Sequence, residues 1–437
     1  MPDNVLNPGD SRIGWLYDDD ASTPHLAVML QDTGEQIVLS VPFRDMGSQH
    51  ARWFGQGINY GDDPHRTKFA YEPPHQLMFQ DPGGQVVLVG CRSDGFDTTA
   101  FSAGVGRIIP NYLVLGAKHL KYDTLNGLRS EIPWLSGWAG MTSRKQSFKS
   151  KKGRVDRLDL TMESPPAVKL DRTLNFTMRP TWSAASPDEE GVMSTRDIVE
   201  FETRISRPRP WEDHLMPHLR MRELLVVSAW HRFGFTRISV NRTDDPETAL
   251  SGKTYGERWS DALSYRLPEH HSRQQPPRFL FTYNDIGATG VRRWLRLSAS
   301  FERAIQPLIF VADNPGSFKS QILQTGIAFE ALGHQLGVEA GRSPAHGVNF
   351  IPALDRVLAD LEFNPLPDSE DWKKRCRASY MGVKHPDRKV PHSLVLANTL
   401  RDNLLVLRFW IAGRLGVKSA VLEKRLSIDP VARWAFR

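Results

Sequence analysis

The 437-residue sequence predicts an α+β protein, in which a β-rich N-terminal region (a sandwich or an open barrel-like sheet) precedes an all-helical bundle. Two observations predict this class. Short apolar runs bounded by glycine- and proline-rich turns fill the N-terminal region, as in antiparallel β domains. From about residue 288 the apolar residues recur every three or four positions, which is the period of an amphipathic helix. We therefore expect a β-rich domain at 1–287, with a sub-boundary near residue 200, and a helical domain at 288–437.

The N-terminal strands are predicted from short apolar or alternating runs. They are expected at 13–17, 36–41, 86–90, 107–116 and 155–162, with a helix at 212–231 and further strands at 235–240 and 279–283. Turn sequences such as Asp-Pro-Gly-Gly at 81–84 separate the runs. Spaced strands of this kind are typical of sandwiches and barrels.

The helical domain is predicted from its start and stop signals. Asp313-Asn314-Pro315-Gly316 ends one helix, and Ser317 is a suitable N-cap for the next. The expected helices cover about 289–311, 318–338, 349–362, 369–384 and 392–415. Five amphipathic helices joined by short connections indicate a bundle.

The positive charge is concentrated in the helical domain. Residues 288–437 hold 22 of the 56 Lys and Arg but only 14 of the 50 Asp and Glu, a net charge of +8. Residues 1–287 hold the other 34 and 36, a net charge of −2. A basic domain beside a nearly neutral one favours a polyanionic partner, nucleic acid before membrane, although solvated Lys and Arg without such a partner are also common.

The sequence favours a soluble, cytoplasmic protein without a cofactor or metal. No apolar run is long enough to span a membrane, and the N-terminus has no secretory signal. Two cysteines, Cys91 and Cys376, form neither a disulfide framework nor a zinc pattern. The sequence also lacks the phosphate loop GxxxxGK[ST] and the HExxH, CxxC and GxSxG motifs.

The densest cluster of polar residues occupies 372–388. Its candidate functional residues are Lys374, Arg377, Tyr380, Lys384, His385 and Arg388. A histidine that titrates near neutral pH, with cations nearby, can move a proton and stabilise phosphorane-like charge without a metal. The alternative interpretation is a basic helix end, where cationic side chains interact favourably with the helix dipole.

At this cluster the sequence resembles the HEPN superfamily of helical ribonucleases, and over nearly its full length it resembles the ApeA-type anti-phage proteins. The resemblance rests on five segments, and the fourth of them places Glu330 at the family's second-helix glutamate. These are Arg12–Trp15, Pro133–Trp138, Phe279–Asp285 followed by Trp294, Ala328–Leu332 and Tyr380–Arg388.

The resemblance implies a metal-independent endoribonuclease effector of abortive infection, acting as a homodimer or higher homo-oligomer. His385 would act on the 2′-hydroxyl or the leaving group, Arg377 would hold the phosphate, and Glu330 would orient one of them. RNA, tRNA included, would contact the remaining candidate residues of the polar cluster at 372–388. The N-terminal domain would sense a phage-derived trigger. The remaining cluster residues are Lys374, Tyr380, Lys384 and Arg388.

The spacing of the motif departs from the family pattern. Four to six residues usually separate the arginine from the histidine, whereas seven separate Arg377 from His385, and positions 378–380 hold no cation. Either the helix end absorbs an extra residue, or Lys384 makes the phosphate contact, or the site is degenerate. The last case would leave a non-catalytic HEPN module that binds RNA, nucleotide or a protein partner.

Two further features leave alternatives open. A carbohydrate-binding β domain with a helical appendage is a third possible function, and it would require a line of exposed aromatic residues on one strand face. Trp134 and Trp138 are interpreted as core anchors, and the alternative is a platform on which a ligand stacks. The basic stretch 144–154 is interpreted as an exposed loop, best explained as a solvated hairpin tip.

Overall fold

The computed structural model describes residues 4–17, 26–99, 103–187, 191–249, 251–268, 275–347 and 349–434. The predicted α+β class is confirmed, because a large antiparallel sheet region precedes a cluster of helices. In chain order the elements are β1 (Ser11–Tyr17), β2 (Leu26–Asp32), β3 (Ile37–Phe43), α1 (Gln49–Arg52), β4 (Gln76–Asp81), β5 (Gly84–Val89), β6 (Arg92–Thr98), β7 (Gly104–Ile109), β8 (Tyr112–Leu115), β9 (Thr124–Glu131), α2 (Leu135–Ala139), β10 (Arg144–Lys151), β11 (Arg154–Met162), β12 (Val168–Lys169), a 3₁₀ turn (Thr173–Asn175), β13 (Thr177–Ala184), β14 (Thr195–Pro210), α3 (Trp211–Ala229), β15 (Arg237–Asn241), β16 (Glu247–Thr248), β17 (Thr254–Gly256), β18 (Ser260–Leu263), α4 (Tyr283–Ser300), α5 (Glu302–Asp313), α6 (Phe318–Glu339), α7 (Phe350–Ala359), α8 (Ser369–Lys384), α9 (Ser393–Leu415) and α10 (Ser419–Leu426).

The chain divides into two compact units. The first, called the β unit, comprises Met1–Ser130, Glu202–Leu215 and Phe235–Glu269. The second, called the helical unit, comprises Glu131–Phe201, Met216–Gly234 and His270–Arg437. Strand β14 and helix α3 each contribute residues to both units.

The β unit contains a long run of antiparallel pairs in the order β15-β18-β8-β5-β4-β1-β2-β3-β7-β6. Strand β1 alternates between buried and exposed side chains, whereas β5 and β8 are buried at consecutive positions. In β1, Leu16 is buried while Trp15 and Tyr17 are exposed. The buried faces form one apolar cluster that includes Leu30, Phe79, Leu39, Leu88 and Ile108.

The helices of the helical unit begin and end at recognisable caps. Ser317, the expected N-cap of α6, accepts a hydrogen bond from the Ser320 backbone N–H at 3.3 Å. Asp368 caps α8 in the same way, accepting from the Asp371 N–H at 2.9 Å. Helix α9 ends at Gly416, whose φ of 95° is the left-handed conformation that favours glycine.

Two expectations about the helical region are wrong. The strand expected at 279–283 does not form: Thr282 and Asp285 make a capping box that starts α4 at Tyr283. The single helix expected at 289–311 is two helices, α4 and α5, which meet at Phe301. Phe301 is buried, and its ring centroid lies 5.1 Å from that of Trp410, so tertiary packing accounts for the break.

The core-anchor interpretation of Trp138 is confirmed, whereas the loop expected at 144–154 is wrong, because most of this stretch is a strand. Trp138 is fully buried and packs edge-on against Tyr283, with ring centroids 6.0 Å apart, so it is a core anchor. Most of the basic stretch 144–154 is strand β10, and its end forms the turn of the β10–β11 hairpin.

A ladder of buried polar side chains joins α8, α9 and α6. The Trp372 indole N–H donates to Asn403 Oδ1 at 2.9 Å, and Asn403 Nδ2 donates to Thr325 Oγ1 at 3.0 Å. All three residues are buried among apolar side chains. Since a buried polar group that loses its partner is costly, the ladder fixes the relative position of the three helices.

An ion pair, Arg408–Asp429, lies fully buried in the helical unit. Arg408 Nη1 contacts Asp429 Oδ1 at 2.8 Å, and both side chains have no exposed surface. The same guanidinium donates to the backbone carbonyls of Val227 at 2.8 Å and Ser228 at 3.1 Å. Arg408 thereby connects α9 to the end of α3 and to the segment after α10.

We expect Arg408→Ala to lower the free energy of unfolding of the helical unit by about 3–5 kcal/mol, because it leaves the Asp429 carboxylate buried without its partner. Urea unfolding followed by circular dichroism measures the change. The double variant Arg408→Met/Asp429→Leu should cost less than Arg408→Ala, and the exposed control Lys424→Ala should stay within about 0.5 kcal/mol of wild type. Equal stability of Arg408→Ala and the control would contradict this role.

Candidate functional site

The candidate site lies where the middle of α6 meets the last turn of α8. The Tyr380 hydroxyl donates to Glu330 Oε2 at 2.9 Å. Lys384 Nζ donates to Glu330 Oε1 at 3.2 Å and lies 4.8 Å from the centroid of the Tyr380 ring. We call these three residues the α6–α8 cluster. Both oxygens of one carboxylate are therefore engaged by a phenol and an ammonium.

A glycine on α6 allows this contact. An added Cβ at Gly326 would lie 2.1 Å from Cδ2 of Tyr380, so a side chain at this position would displace the ring. On its other side the ring stacks on Phe350, with centroids 4.8 Å apart and an interplanar angle of 30°. Glu330 is four residues after Gly326, one turn along the same face of α6, and so it reaches the hydroxyl.

The cluster perturbs the titration of two of its members. Burial raises the pKa of Tyr380, and the hydrogen bond to Glu330 raises it further, against the opposing effect of Lys384. The pKa of Lys384 is also raised, chiefly by its interaction with Tyr380 and additionally by Glu330, against the opposing effect of desolvation. At neutral pH the phenol is therefore protonated and the ammonium is charged.

His385 occupies the C-cap of α8. Its φ of −118° and ψ of 120° take the chain out of the helix, while its N–H still donates to the Met381 carbonyl at 3.1 Å. The chain then folds back over Gly382, where an added Cβ would lie 2.6 Å from the Lys389 carbonyl oxygen. Among the described residues, none hydrogen-bonds to the half-buried imidazole, so its nitrogens are available to a ligand.

Arg377 lies on α8, seven residues before Lys384 and eight before His385. By helix geometry it shares a face with Lys384, about 20° apart, whereas His385 is about 80° around the axis and about 12 Å along it. Arg377 is exposed, and within the described part of the chain no carboxylate pairs with its guanidinium. The structure thus brings Glu330, Tyr380 and Lys384 together but leaves Arg377 two turns from His385.

The remaining expected contact residues, Lys374 and Arg388, are exposed. Lys374 lies on α8, within about 80° of Arg377 and Lys384 around the helix axis. Arg388 lies in a turn just past the end of α8, and its backbone N–H donates to the His385 carbonyl at 3.1 Å. Cationic side chains are therefore exposed in the second turn of α8 and just past its C-terminal end.

Sequence reasoning did not identify Gly326 and Phe350, which position Tyr380. A signal for the first was present, because glycine is unfavourable within helices and α6 nevertheless contains Gly326, Gly333 and Gly337. Cβ atoms added at these three positions would approach Tyr380, Ala353 and Arg356 respectively. No comparable local signal identified Phe350, whose contact with Tyr380 spans 30 residues.

The β unit presents a second feature of interest, a line of exposed apolar side chains on one face of β1. Ile13, Trp15 and Tyr17 are 73%, 57% and 49% exposed, although they sit within a sheet. Since alternate residues of a strand point the same way, the three side chains lie on one face. Exposed apolar stripes of this kind often mark interaction surfaces.

Within the described ranges, no three His, Cys, Asp or Glu residues are grouped closely enough to hold a metal ion. None of the helices in those ranges combines the length and the apolar character that crossing a bilayer demands.

Comparison with known proteins identifies one family. The model for ApeA N-terminal domain 1 matches residues 11–296, which is more than half of the chain. No curated protein and no solved structure matches the chain.

We expect Glu330→Gln to lower the pKa of Tyr380 and of Lys384, because it removes the negative charge that stabilises the protonated forms of both. NMR of protein labelled with ¹³Cζ-tyrosine, with the signal assigned by Tyr380→Phe, measures the first shift. Glu339→Gln is a matched control on the same helix, since Glu339 pairs with Arg414 rather than with the cluster. A Tyr380 titration that is identical in wild type and Glu330→Gln would contradict the assigned contact.

Proposed function

The chain belongs to the ApeA family of anti-phage defence proteins, and we propose that its helical domain, 288–437, is a HEPN-type, metal-independent endoribonuclease. In this proposal the enzyme is an effector of abortive infection that cleaves cytoplasmic RNA, tRNA included. The observation that carries the proposal is the α6–α8 cluster beside His385. It combines a histidine whose ring nitrogens have no hydrogen-bond partner among the described residues, a charged lysine, and a carboxylate that orients the lysine.

The proposed reaction is an internal transesterification of RNA. The 2′-hydroxyl loses its proton and attacks the adjacent phosphorus, the bond from phosphorus to the 5′-oxygen breaks, and the 5′-oxygen gains a proton. The products are a 2′,3′-cyclic phosphate and a 5′-hydroxyl. His385 carries one of the two protons and a water molecule carries the other, and the cations stabilise the extra negative charge on phosphorus in the transition state.

In this proposal, Lys384 supplies the phosphate-binding cation that is missing at positions 378–380. It shares a face of α8 with Arg377, and Glu330 holds its ammonium at 3.2 Å near the helix end where His385 lies. Glu330 is therefore a positioning residue in this proposal, acting through Lys384 and Tyr380. Arg377 and Lys384 bind the phosphates, and Lys374 and Arg388 bind the flanking RNA. Tyr380, expected from the sequence to contact RNA, is buried and instead positions Glu330.

A second copy of the chain completes the proposed site. Arg377 and His385 are about 12 Å apart along α8 and about 80° apart around its axis, so they do not project toward one point from the same helix. If the α8 helices of two copies face each other, His385 of one meets Arg377 of the other. A symmetric dimer would then contain two equivalent composite sites.

The N-terminal region, 1–287, is the proposed sensor of a phage-derived trigger. The exposed stripe of Ile13, Trp15 and Tyr17 supports this role. Tryptophan and tyrosine are enriched at the centres of protein interfaces, where they supply large apolar contacts.

A non-catalytic HEPN module is the second candidate function. It is favoured by the spacing of seven residues between Arg377 and His385, which is longer than the family pattern. It is also favoured by Ala, Ser and Tyr at positions 378–380, where no cation is present. The engagement of both Glu330 oxygens also favours it, since the contacts to Tyr380 and Lys384 leave the carboxylate fewer lone pairs for a substrate. Such a module would bind RNA, nucleotide or protein without cleaving it.

We expect the purified protein to cleave RNA in the presence of EDTA and His385→Ala to lower the rate by about 10²–10⁴-fold, the usual contribution of a general acid or base. Arg377→Ala should lower it by about 10²-fold through lost charge stabilisation. Denaturing gels of end-labelled tRNA measure both rates. His346→Ala, an exposed histidine of the same unit, is the matched control and should cleave at the wild-type rate. Undiminished cleavage by His385→Ala would rule out the proposed site.

The composite site predicts complementation between two inactive variants. Co-expression of His385→Ala and Arg377→Ala chains with different tags should give mixed dimers with one intact site each, so total activity should recover to about a quarter of wild type. Tandem affinity purification isolates the mixed dimers for the cleavage assay. Mixed dimers as inactive as the parents would contradict a site shared between copies.

A further inference from the structure

The β10–β11 hairpin of the helical unit is exposed along nearly its whole length. All eight residues of β10 are exposed, as are most of β11. Residues 144–159 contain seven Lys and Arg against two Asp, a net charge of +5. This charge density is far above the average for the chain, whose net charge is +6 over 437 residues.

The two faces of the hairpin differ in character. On one face Phe148 pairs with Leu158, and Gln146 pairs with Leu160. Phe148 and Leu158 remain 56% and 55% exposed, so this apolar face is uncovered. On the other face Lys149 pairs with Arg157, which places two cations directly opposite each other.

Within the described ranges, most of the hairpin cations pair with no acidic side chain. Lys145 pairs with Glu163 at 2.8 Å and Arg157 pairs with Asp159 at 2.8 Å. In the part of the chain that the structure describes, no carboxylate pairs with the remaining five, which are Arg144, Lys149, Lys151, Lys152 and Arg154. Like charges at this density repel one another, and a polyanion would relieve the repulsion.

We propose that the β10–β11 hairpin binds single-stranded RNA, with the phosphates on the tip cations and the bases on the apolar face around Phe148. A single strand offers the two chemistries that the hairpin needs, a row of anions and a row of planar apolar bases. The proposal deepens the proposed function and rests on it. It assigns to this hairpin the capture of the RNA that the site on α8 cleaves.

Two other occupants fit the hairpin less well. An anionic membrane would meet the tip first, and the tip residues Lys151, Lys152, Gly153 and Arg154 contain no large apolar side chain to insert. A second copy of the same hairpin would bring two charges of +5 together, which is unfavourable. A strand of nucleic acid that lies along the hairpin neutralises the tip and covers Phe148.

The test measures binding in a chain that cannot cleave. Fluorescence anisotropy follows a labelled 20-nucleotide single-stranded RNA with full-length His385→Ala as the parent protein. The added changes Lys151→Ala/Lys152→Ala/Arg154→Ala should weaken binding at least tenfold and reduce the slope of log K against log salt by about 2, as expected for three lost phosphate contacts. Phe148→Ser should weaken binding about tenfold through lost stacking.

A matched control removes three exposed cations of the β unit. Lys121→Ala/Lys253→Ala/Arg209→Ala changes the net charge equally, and it should leave affinity within about twofold of the parent. Unchanged RNA affinity in the hairpin variants, or an equal loss in the control, would overturn the proposal. Binding to phosphatidylserine vesicles that depends on the hairpin, with RNA affinity unchanged, would also overturn it in favour of a membrane.

The outcomes separate this proposal from the proposed function. If the hairpin does not bind RNA, the wild-type protein and its hairpin variants should cleave RNA with the same apparent affinity. If the site on α8 is not a nuclease, RNA binding by the hairpin should persist in a protein that cleaves nothing in EDTA.

Discussion

The candidate site depends on the close approach of α6 and α8, which the absence of a side chain at residue 326 permits. The Tyr380 ring lies against the backbone of Gly326 and stacks on Phe350. This position brings the hydroxyl to Glu330, and Glu330 in turn holds Lys384 at the end of α8. The chemistry proposed for the helix end thus follows from one packing contact, which a methyl group would disrupt.

Burial of Tyr380 affects its hydrogen bond to Glu330 and its pKa. At the surface, water would compete with the Tyr380 hydroxyl for the carboxylate, whereas burial shields this hydrogen bond and also raises the pKa of Tyr380. The ladder of Trp372, Asn403 and Thr325 fixes α6 and α8, together with α9, from within the core. Packing and buried hydrogen bonds therefore hold the cations on α8 in place.

Local signals in the sequence predicted helices α3, α6, α7, α8 and α9, and a contact between distant residues accounts for the break between α4 and α5. Helix α8 covers Ser369–Lys384 as its periodicity predicted, although its N-cap is Asp368 and not Ser369. The break at Phe301 results from packing on Trp410, more than a hundred residues away, and no local pattern indicates it. In the same way, the sequence supplied Glu330 and Lys384 as candidates, but only the fold shows that they contact each other.

The most direct test examines RNA ends in phage-infected cells, where the trigger is present. RNA from cells with the wild-type chain and from cells with the His385→Ala chain is sequenced by a method that captures 2′,3′-cyclic phosphates. We expect new fragments with cyclic phosphate and 5′-hydroxyl ends in the wild type and none in His385→Ala. The same fragments in both strains, or fragments with 3′-hydroxyl and 5′-phosphate ends, would contradict the account.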